Sequence, residues 1–317
     1  MIARELIALP PFADEVEAGL VRYPKSLPCK LFYDSTGSDL FEQITRLPEY
    51  YLTRTELSIL RDHAGEMASA IGSGITVVEL GAGTAEKTMT LLRALAGRQI
   101  RVNFYPVDIS PASLAQAQKR VQSQSPQISV RPVVADFSQG FGFLREIPGR
   151  KIILYLGSSI GNFDPPDAVS MLEQIHAQLS SEDALLLGTD LVKREDILVA
   201  AYNDSKGITE RFNKNILDRL NRELGADFNL EWFRHVAEWN PLASRMEIFL
   251  ESLRPQNVHV SLLNLRVRFG EGERIHTENS YKYTLTMVNQ LLEPAGFTLD
   301  RTWFDNCKWF GLHLARA

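Results

Sequence analysis

The stretch 75–84, ITVVELGAGT, is followed after Ala85 by 86–97, EKTMTLLRALAG. Its first part is a short β-branched run that stops at glycines, and its second part repeats apolar residues at helical spacing. Strand, glycine turn and helix together open a βαβ unit. The same alternation continues downstream. IRVNFYPVD (100–108) reads as a strand, 111–123 as a helix and ISVRPVVADF (128–137) as a strand. KIILYLGSS (151–159) is a near-continuous apolar run, as expected of a strand buried on both faces. A helix at 167–180 and a strand at 183–190 follow. Five strands separated by helices predict an α/β fold, a doubly wound parallel sheet. Upstream, 55–72 reads as a helix that ends at Gly72.

The alternation breaks after Leu191. Long amphipathic stretches (EDILVAAYND, ITERFNKNILDRLNRELG) and polar-aromatic runs (ASRMEIFLESL, NVHVSLLNLRVRF) fill the chain to about Ser280. The α/β pattern then resumes, with 281–297 read as a helix closed by Pro294 and Gly296, and FTLDRTWFD and KWFGLHLARA as two closing strands. The expected organisation is a core of 54–191 with 281–317, and a second α+β lobe of 1–53 with 192–280, inserted after the fifth strand.

Composition limits what the chain can do. Its 317 residues suggest about two domains, and 44% apolar with 23% charged side chains describe a globular protein. A net charge of −5 disfavours a nucleic-acid binder, an RNA-modifying enzyme included, which would carry a basic face. Cys29 and Cys307 cannot build a disulfide framework. The six histidines, His63, His176, His235, His259, His276 and His313, lack metal-ligand spacing, so no metal is expected and none of them receives a role. Trp232, Trp239, Trp303 and Trp309 read as core. The N-terminal residues have acids and prolines where a signal peptide needs a basic flank and a long apolar core, and no run approaches the ~18 apolar residues of a membrane span. A cytoplasmic monomer with a small-molecule substrate, no nucleic-acid partner and no membrane partner is the expectation.

The chemistry lies at the strand ends. Glu79-Leu-Gly-Ala-Gly-Thr84 lets a ligand approach the backbone closely. Glu86 stands where a dinucleotide fingerprint needs its third glycine, which counts against a nicotinamide enzyme. Asp108 ends the second strand, where a carboxylate can accept both hydroxyls of a ribose. Asp136 and Phe137 end the third and put an acid and an aromatic beside an adenine-sized slot. Three such motifs at the carboxyl ends of consecutive strands sit where open α/β sheets bind ligands. The set resembles the S-adenosylmethionine site of class I methyltransferases, with their Rossmann-like sheet.

The rest of the chain sharpens the resemblance. Lys30-Leu-Phe-Tyr-Asp34, Gly37-Ser-Asp-Leu-Phe41 and Leu47-Pro-Glu-Tyr-Tyr-Leu-Thr-Arg-Thr-Glu56 resemble the N-terminal signature of the L-histidine Nα-methyltransferase family of ergothioneine biosynthesis. Further likenesses are ELGAGTAEKT (79–88), LGSSIGN (156–162), LLGTDLVK (186–193), AYND (201–204), RFNKNIL (211–217), NRELGADF (221–228) and HTENSYKY (276–283). The resemblance implies a cofactor set of Tyr50, Gly81, Lys87, Asp108, Asp136 and Phe137, with Lys87 one turn into the first helix. It implies an amino-acid set of Tyr33, Asn162, Tyr202, Glu278 and Ser280. In that set Asn162 and Tyr202 would hold the α-amino and α-carboxylate groups, with Tyr33 beside the amine, and Tyr33 and Asn162 would be the catalytic pair. Glu278 and Ser280, two residues apart on one strand face, would hydrogen-bond the imidazole. The expected product is hercynine. A relative acting on tryptophan or a derivative is the alternative, and so is a cofactor-binding regulator without turnover. Ile248, in RMEIFL, departs from the Met of some relatives in the expected pocket wall.

Overall fold

A computed structural model describes residues 9–317. Residues 1–8, which the sequence reading places in the second lobe, lie outside the described residues. The chain divides into two compact units. One, the sheet unit, comprises Leu52–Lys193 and Tyr281–Ala317; the other, the insertion unit, comprises the chain up to Tyr51 and Arg194–Ser280.

The sheet unit begins with helix Leu52–Ile71, and its first strand, Ile75–Leu80, is buried at every position. Strands Val102–Asp108 and Arg150–Tyr155 lie parallel on either side of it. Ile128–Val130 extends the sheet beyond Val102–Asp108, and Ala184–Asp190 extends it beyond Arg150–Tyr155. The closing strands Thr298–Phe304 and Phe310–Arg316 join antiparallel at that edge, so a parallel sheet ends in an antiparallel hairpin. Side chains alternate between two separate cores. Val77, Phe104, Ile152, Leu186 and Leu312 pack on one face, and Val78, Tyr105, Ile153, Leu185 and Ala315 on the other. Each fully buried side chain of this kind contributes ~1.5–3 kcal/mol, so both faces need cover and the strands read as unbroken apolar runs.

Local readings change in four places. The strand expected over 128–137 splits into Ile128–Val130 and Val133–Val134, because Pro132 between them offers no N–H to the ladder. The first helix starts at Met89 rather than Glu86, so Lys87 precedes the helix; the turn ahead of it holds Ala85 at φ 53°. The helix expected from 281 starts at Leu285, capped by the Thr284 hydroxyl, because Tyr281 still belongs to a strand and Lys282 is fully buried against Asp190. The run 257–269 is a hairpin of two strands, Gln256–Val260 and Leu265–Phe269, turned at Asn264 with φ 49°.

The insertion unit holds a four-stranded sheet in the order Lys25–Ser26, Arg274–Tyr281, Arg245–Ser252 and Phe233–Asn240. Helices Ala13–Val21, Ser35–Ile44, Glu195–Tyr202 and Ile208–Leu224 complete it. Asp34 caps Ser35–Ile44 by accepting from Gly37 N at 2.7 Å, and it also accepts from Asn215 and Arg222 of Ile208–Leu224. One buried-side carboxylate thus joins two helices distant in sequence. Among the described residues no helix is long and apolar enough to cross a membrane.

Candidate active site

In the sheet unit the strand ends converge on the glycine loop. Gly81 and Gly83 have φ of 69° and 51°, a region that L side chains rarely adopt, and a Cβ on either would meet nothing within 4 Å. The loop is therefore glycine for its backbone shape, and the space beside it is open to a ligand. Gly81 N and Ala82 N both donate to the Val107 carbonyl, which pins the loop to the second strand. Asp108 completes the pin. Its Oδ2 accepts from Gly83 N and its Oδ1 from Ser110 N, both at 2.9 Å. Each oxygen keeps a lone pair, so the carboxylate can order the loop and still accept two hydroxyls. Asp136 is exposed two residues past strand Val133–Val134, and Phe137 stacks on Phe141 with ring centroids 5.5 Å apart.

Glu79, the acid that opens the loop motif, is buried. Its Oε1 accepts from Thr88 Oγ1 at 2.5 Å, and its Oε2 has no hydrogen-bond partner among the described residues. Burial pushes this carboxyl up to about 8. It is mainly neutral at pH 7 and acts as a loop support.

Lys87 does not stand alone, as a solvated lysine would. Its Nζ forms an ion pair with Glu56 Oε2, and Glu56 Oε1 accepts from Gly157 N at 2.7 Å. Glu56 is fully buried on helix Leu52–Ile71. A Cβ at Gly188 would lie 2.5 Å from Glu56 Oε1, which explains a glycine inside a buried strand. Asn162 ends the turn Ser159–Asn162, which follows Ser158 at φ 59°. The Ser158 hydroxyl accepts from Asp190 N at 2.8 Å. Asp190 is held between Lys193 at 2.5 Å and Lys282 at 2.9 Å, and burial pulls the Lys193 ammonium down to about 8.

The insertion unit holds an aromatic group of its own. Tyr33 stands edge-on to Phe41 at 5.7 Å and to Phe212 at 5.8 Å, Phe41 to Tyr50 at 6.2 Å, and Tyr50 to Tyr202 at 6.4 Å. Tyr202 Oη lies 2.7 Å from Ser280 Oγ. Glu278 shares a strand face with Ser280. Burial and then the Glu278 carboxylate raise the Tyr33 hydroxyl well above the ordinary tyrosine range. Since 43% of Tyr33 is exposed, the carboxylate is the firmer of those two causes. Burial and Glu278 likewise push the Cys29 thiol up to about 12, so it is no nucleophile.

Tyr33, Tyr50, Tyr202, Glu278 and Ser280 thus gather in the insertion unit. Gly81, Lys87, Asp108, Asp136, Phe137 and Asn162 belong to the sheet unit. Tyr50, expected with the cofactor residues, sits in the aromatic group of the other set, and Asn162, expected with the amino-acid residues, belongs to the sheet unit. Ile248 is buried.

The model of histidine-specific, S-adenosylmethionine-dependent methyltransferases matches residues 12–317. The chain belongs to that family. It is 44% identical to the histidine N-alpha-methyltransferase of Mycolicibacterium smegmatis, covering 95% of this chain and 93% of that one. Ergothioneine biosynthesis protein 1 of Neurospora crassa is 34% identical over 92% of this chain and 33% of its own length. A 4-dimethylallyltryptophan N-methyltransferase of Trichophyton verrucosum is 29% identical over 91% of this chain and 88% of its own. As a member of the histidine-specific methyltransferases the chain uses S-adenosylmethionine, and the open glycine loop, Asp108 and the Phe137 ring fit that group.

Sequence reading missed Glu56, Phe41 and Phe212 as contributors. All three fall inside quoted motifs, but an acid on a helix ordinarily reads as solvated and a phenylalanine as core. The available signal was Gly188, a glycine without a turn inside a continuous apolar strand.

Proposed function

We propose that this protein transfers methyl groups from S-adenosylmethionine to the α-amine of L-histidine, forming hercynine by successive transfers in the first step of ergothioneine biosynthesis. The observation that carries the reading is the strand Arg274–Tyr281, which presents Glu278 and Ser280 on one face, with Ser280 bonded to Tyr202. A carboxylate there accepts from an imidazole N–H. An indole lacking a suitably placed donor leaves that charge unpaired, which is how a polar pocket rejects an analogue.

On this reading the sheet unit binds the cofactor, which supplies an electrophilic methyl on a sulfonium. Asp108 would take the ribose hydroxyls, Asp136 and Phe137 would flank the adenine, the Gly81 loop would admit the methionine part, and Lys87 would serve the remaining polar groups, a role that family likeness also gives to Tyr50. The insertion unit binds histidine through Glu278, Ser280 and Tyr202, with Asn162 on the α-groups. Tyr33, kept protonated, accepts from the amine and orients its lone pair; the amine's proton leaves to water. Alignment of this kind lowers a displacement barrier by up to roughly 7–11 kcal/mol in well-oriented systems. As methyl groups accumulate the amine becomes a cation without a donor, and the Tyr33, Phe41 and Phe212 rings favour it by ~0.5–2 kcal/mol each. We include a cytoplasmic monomer in the proposal; light-scattering mass checks the monomer and cell fractionation the location.

Initial rates with histidine and tryptophan test the substrate. Histidine should be preferred by roughly 100-fold or more in kcat/KM. A preference for tryptophan would leave the family standing and remove the role of Glu278.

A further inference from the structure

We propose that His235 is a positioning residue for this reaction, acting on the substrate through Tyr202; the inference rests on the reading of Tyr202 as a substrate-holding residue. Helix Glu195–Tyr202 ends at Tyr202, so the last carbonyls of the helix have no partner within it. His235, on strand Phe233–Asn240, meets the Tyr202 carbonyl, with Nε2 at 2.7 Å from that oxygen. A carbonyl only accepts, so Nε2 carries a proton.

The other ring nitrogen is fixed by a second residue. Asn213 Nδ2 lies 2.9 Å from His235 Nδ1 and 2.9 Å from the Phe249 carbonyl. The amide group there must be the NH2, with one hydrogen for each acceptor. Asn213 Oδ1 accepts from Thr277 Oγ1 at 2.8 Å. A flipped amide would set its oxygen against the Phe249 carbonyl oxygen, which only accepts, and would lose that bond. His235 is therefore held as the neutral tautomer, donating at Nε2 and accepting at Nδ1.

Tyr202 is gripped at two points by the strand that carries Glu278. Ser280 holds its hydroxyl, and Thr277 reaches its carbonyl through Asn213 and the His235 ring. The residue expected at the α-carboxylate and the residue expected at the imidazole are thereby fixed with respect to each other. Lengthwise placement of the bound amino acid depends on that distance, and a shift of about 1 Å can cost 100-fold in rate.

The device works only while the ring is neutral. Burial lowers its proton affinity below the ordinary value of 6.5. The charged groups facing it are Glu210 and Lys214 on helix Ile208–Leu224 and Asp204 in the loop before that helix. Asn213, Thr277 and the Phe249 carbonyl face it as neutral groups. A proton at Nδ1 would point at the Asn213 NH2 and break the link.

The test measures histidine KM and kcat and cofactor Kd for the wild type, His235→Leu, His235→Gln and Tyr202→Phe, over roughly pH 5 to 8, where histidines titrate. His235→Leu should raise histidine KM about 10-fold, as expected for one lost buried hydrogen bond, with cofactor Kd unchanged. His235→Gln, whose amide N–H can reach the Tyr202 carbonyl, should restore KM to within about 3-fold of wild type. It should also lack the extra acid rise in KM that the wild type shows beyond the shared titration of the substrate. A folded His235→Leu with wild-type histidine KM, or with KM and cofactor Kd raised alike, overturns the proposal. If His235→Leu does not fold, the pH profiles decide, and superposition of His235→Gln on the wild type overturns it. Tyr202→Phe separates the two levels. An unchanged histidine KM in that variant removes the underlying role of Tyr202, whereas a raised KM there beside an unaffected His235→Leu removes His235 alone.

Discussion

The two units build their polar sites by different means. In the sheet unit the deciding carboxylates bind backbone N–H groups at strand ends, Asp108 on Gly83 and Ser110, and Glu56 on Gly157. In the insertion unit, side chains from separate elements bind one another, as Tyr202 does with Ser280 and Asn213 with His235 and Thr277. A site hung on strand ends inherits its geometry from the sheet, and its motifs are short and local. A site made of side-chain networks depends on packing between helices and strands far apart in the chain. Damage should therefore stay local and cofactor-specific in the first case and appear in amino-acid binding in the second.

The largest expected effect breaks the first kind of site. Asp108→Ala removes both the ribose acceptor and the pin on Gly83 and Ser110, and cofactor affinity by calorimetry should fall roughly 100-fold or more. Retained affinity would remove Asp108 from the site. Glu278→Ala should raise histidine KM about 30-fold through loss of a charge-assisted hydrogen bond, with cofactor Kd unchanged. Equal changes in both constants would deny that the two sets are separable.

Glu56→Gln sharpens the comparison, because it leaves an acceptor for Gly157 N but unpairs Lys87. Breaking one side of a buried pair costs about 3–5 kcal/mol, so the melting temperature should fall by several degrees, with cofactor affinity weakened about 10-fold. An unchanged cofactor Kd would make the pair a packing feature only. The smallest effect concerns Glu79. Its folded-state pKa of about 8 is raised from 4.5, so the folded state binds a proton that the unfolded state releases between these values. Its contribution to stability is full below pH 4.5 and declines as pH rises to about 8. Thermal melts should show Glu79→Gln flattening that decline, and parallel melting curves for the two proteins would contradict the assignment.

Legibility in the sequence followed the same division. The strands of the sheet unit announced themselves because two-sided burial writes continuous apolar runs, and the glycine loop because backbone at positive φ needs glycine. Asp108, Asp136 and Phe137 could be located by their place at strand ends. One boundary that moved was set by a tertiary partner, the buried Lys282–Asp190 pair that delays the helix to Leu285. In the insertion unit, strand Phe233–Asn240 carries a mixed burial pattern without clean alternation and left no readable period. His235 looked like any scattered histidine, since its meaning lies in Asn213 and Tyr202, which no local spacing connects to it. Tyr33, Tyr202, Glu278 and Ser280 entered through family likeness, because their shared surroundings are made by long-range packing.

The measurement that bears most directly on the account is tandem mass spectrometry of the products formed from S-adenosylmethionine and each of the twenty amino acids. The account predicts that histidine alone is consumed efficiently and that its α-nitrogen carries all the added methyl groups, ending in the trimethylated betaine. Methylation on an imidazole nitrogen, or efficient methylation of tryptophan with histidine untouched, would contradict it.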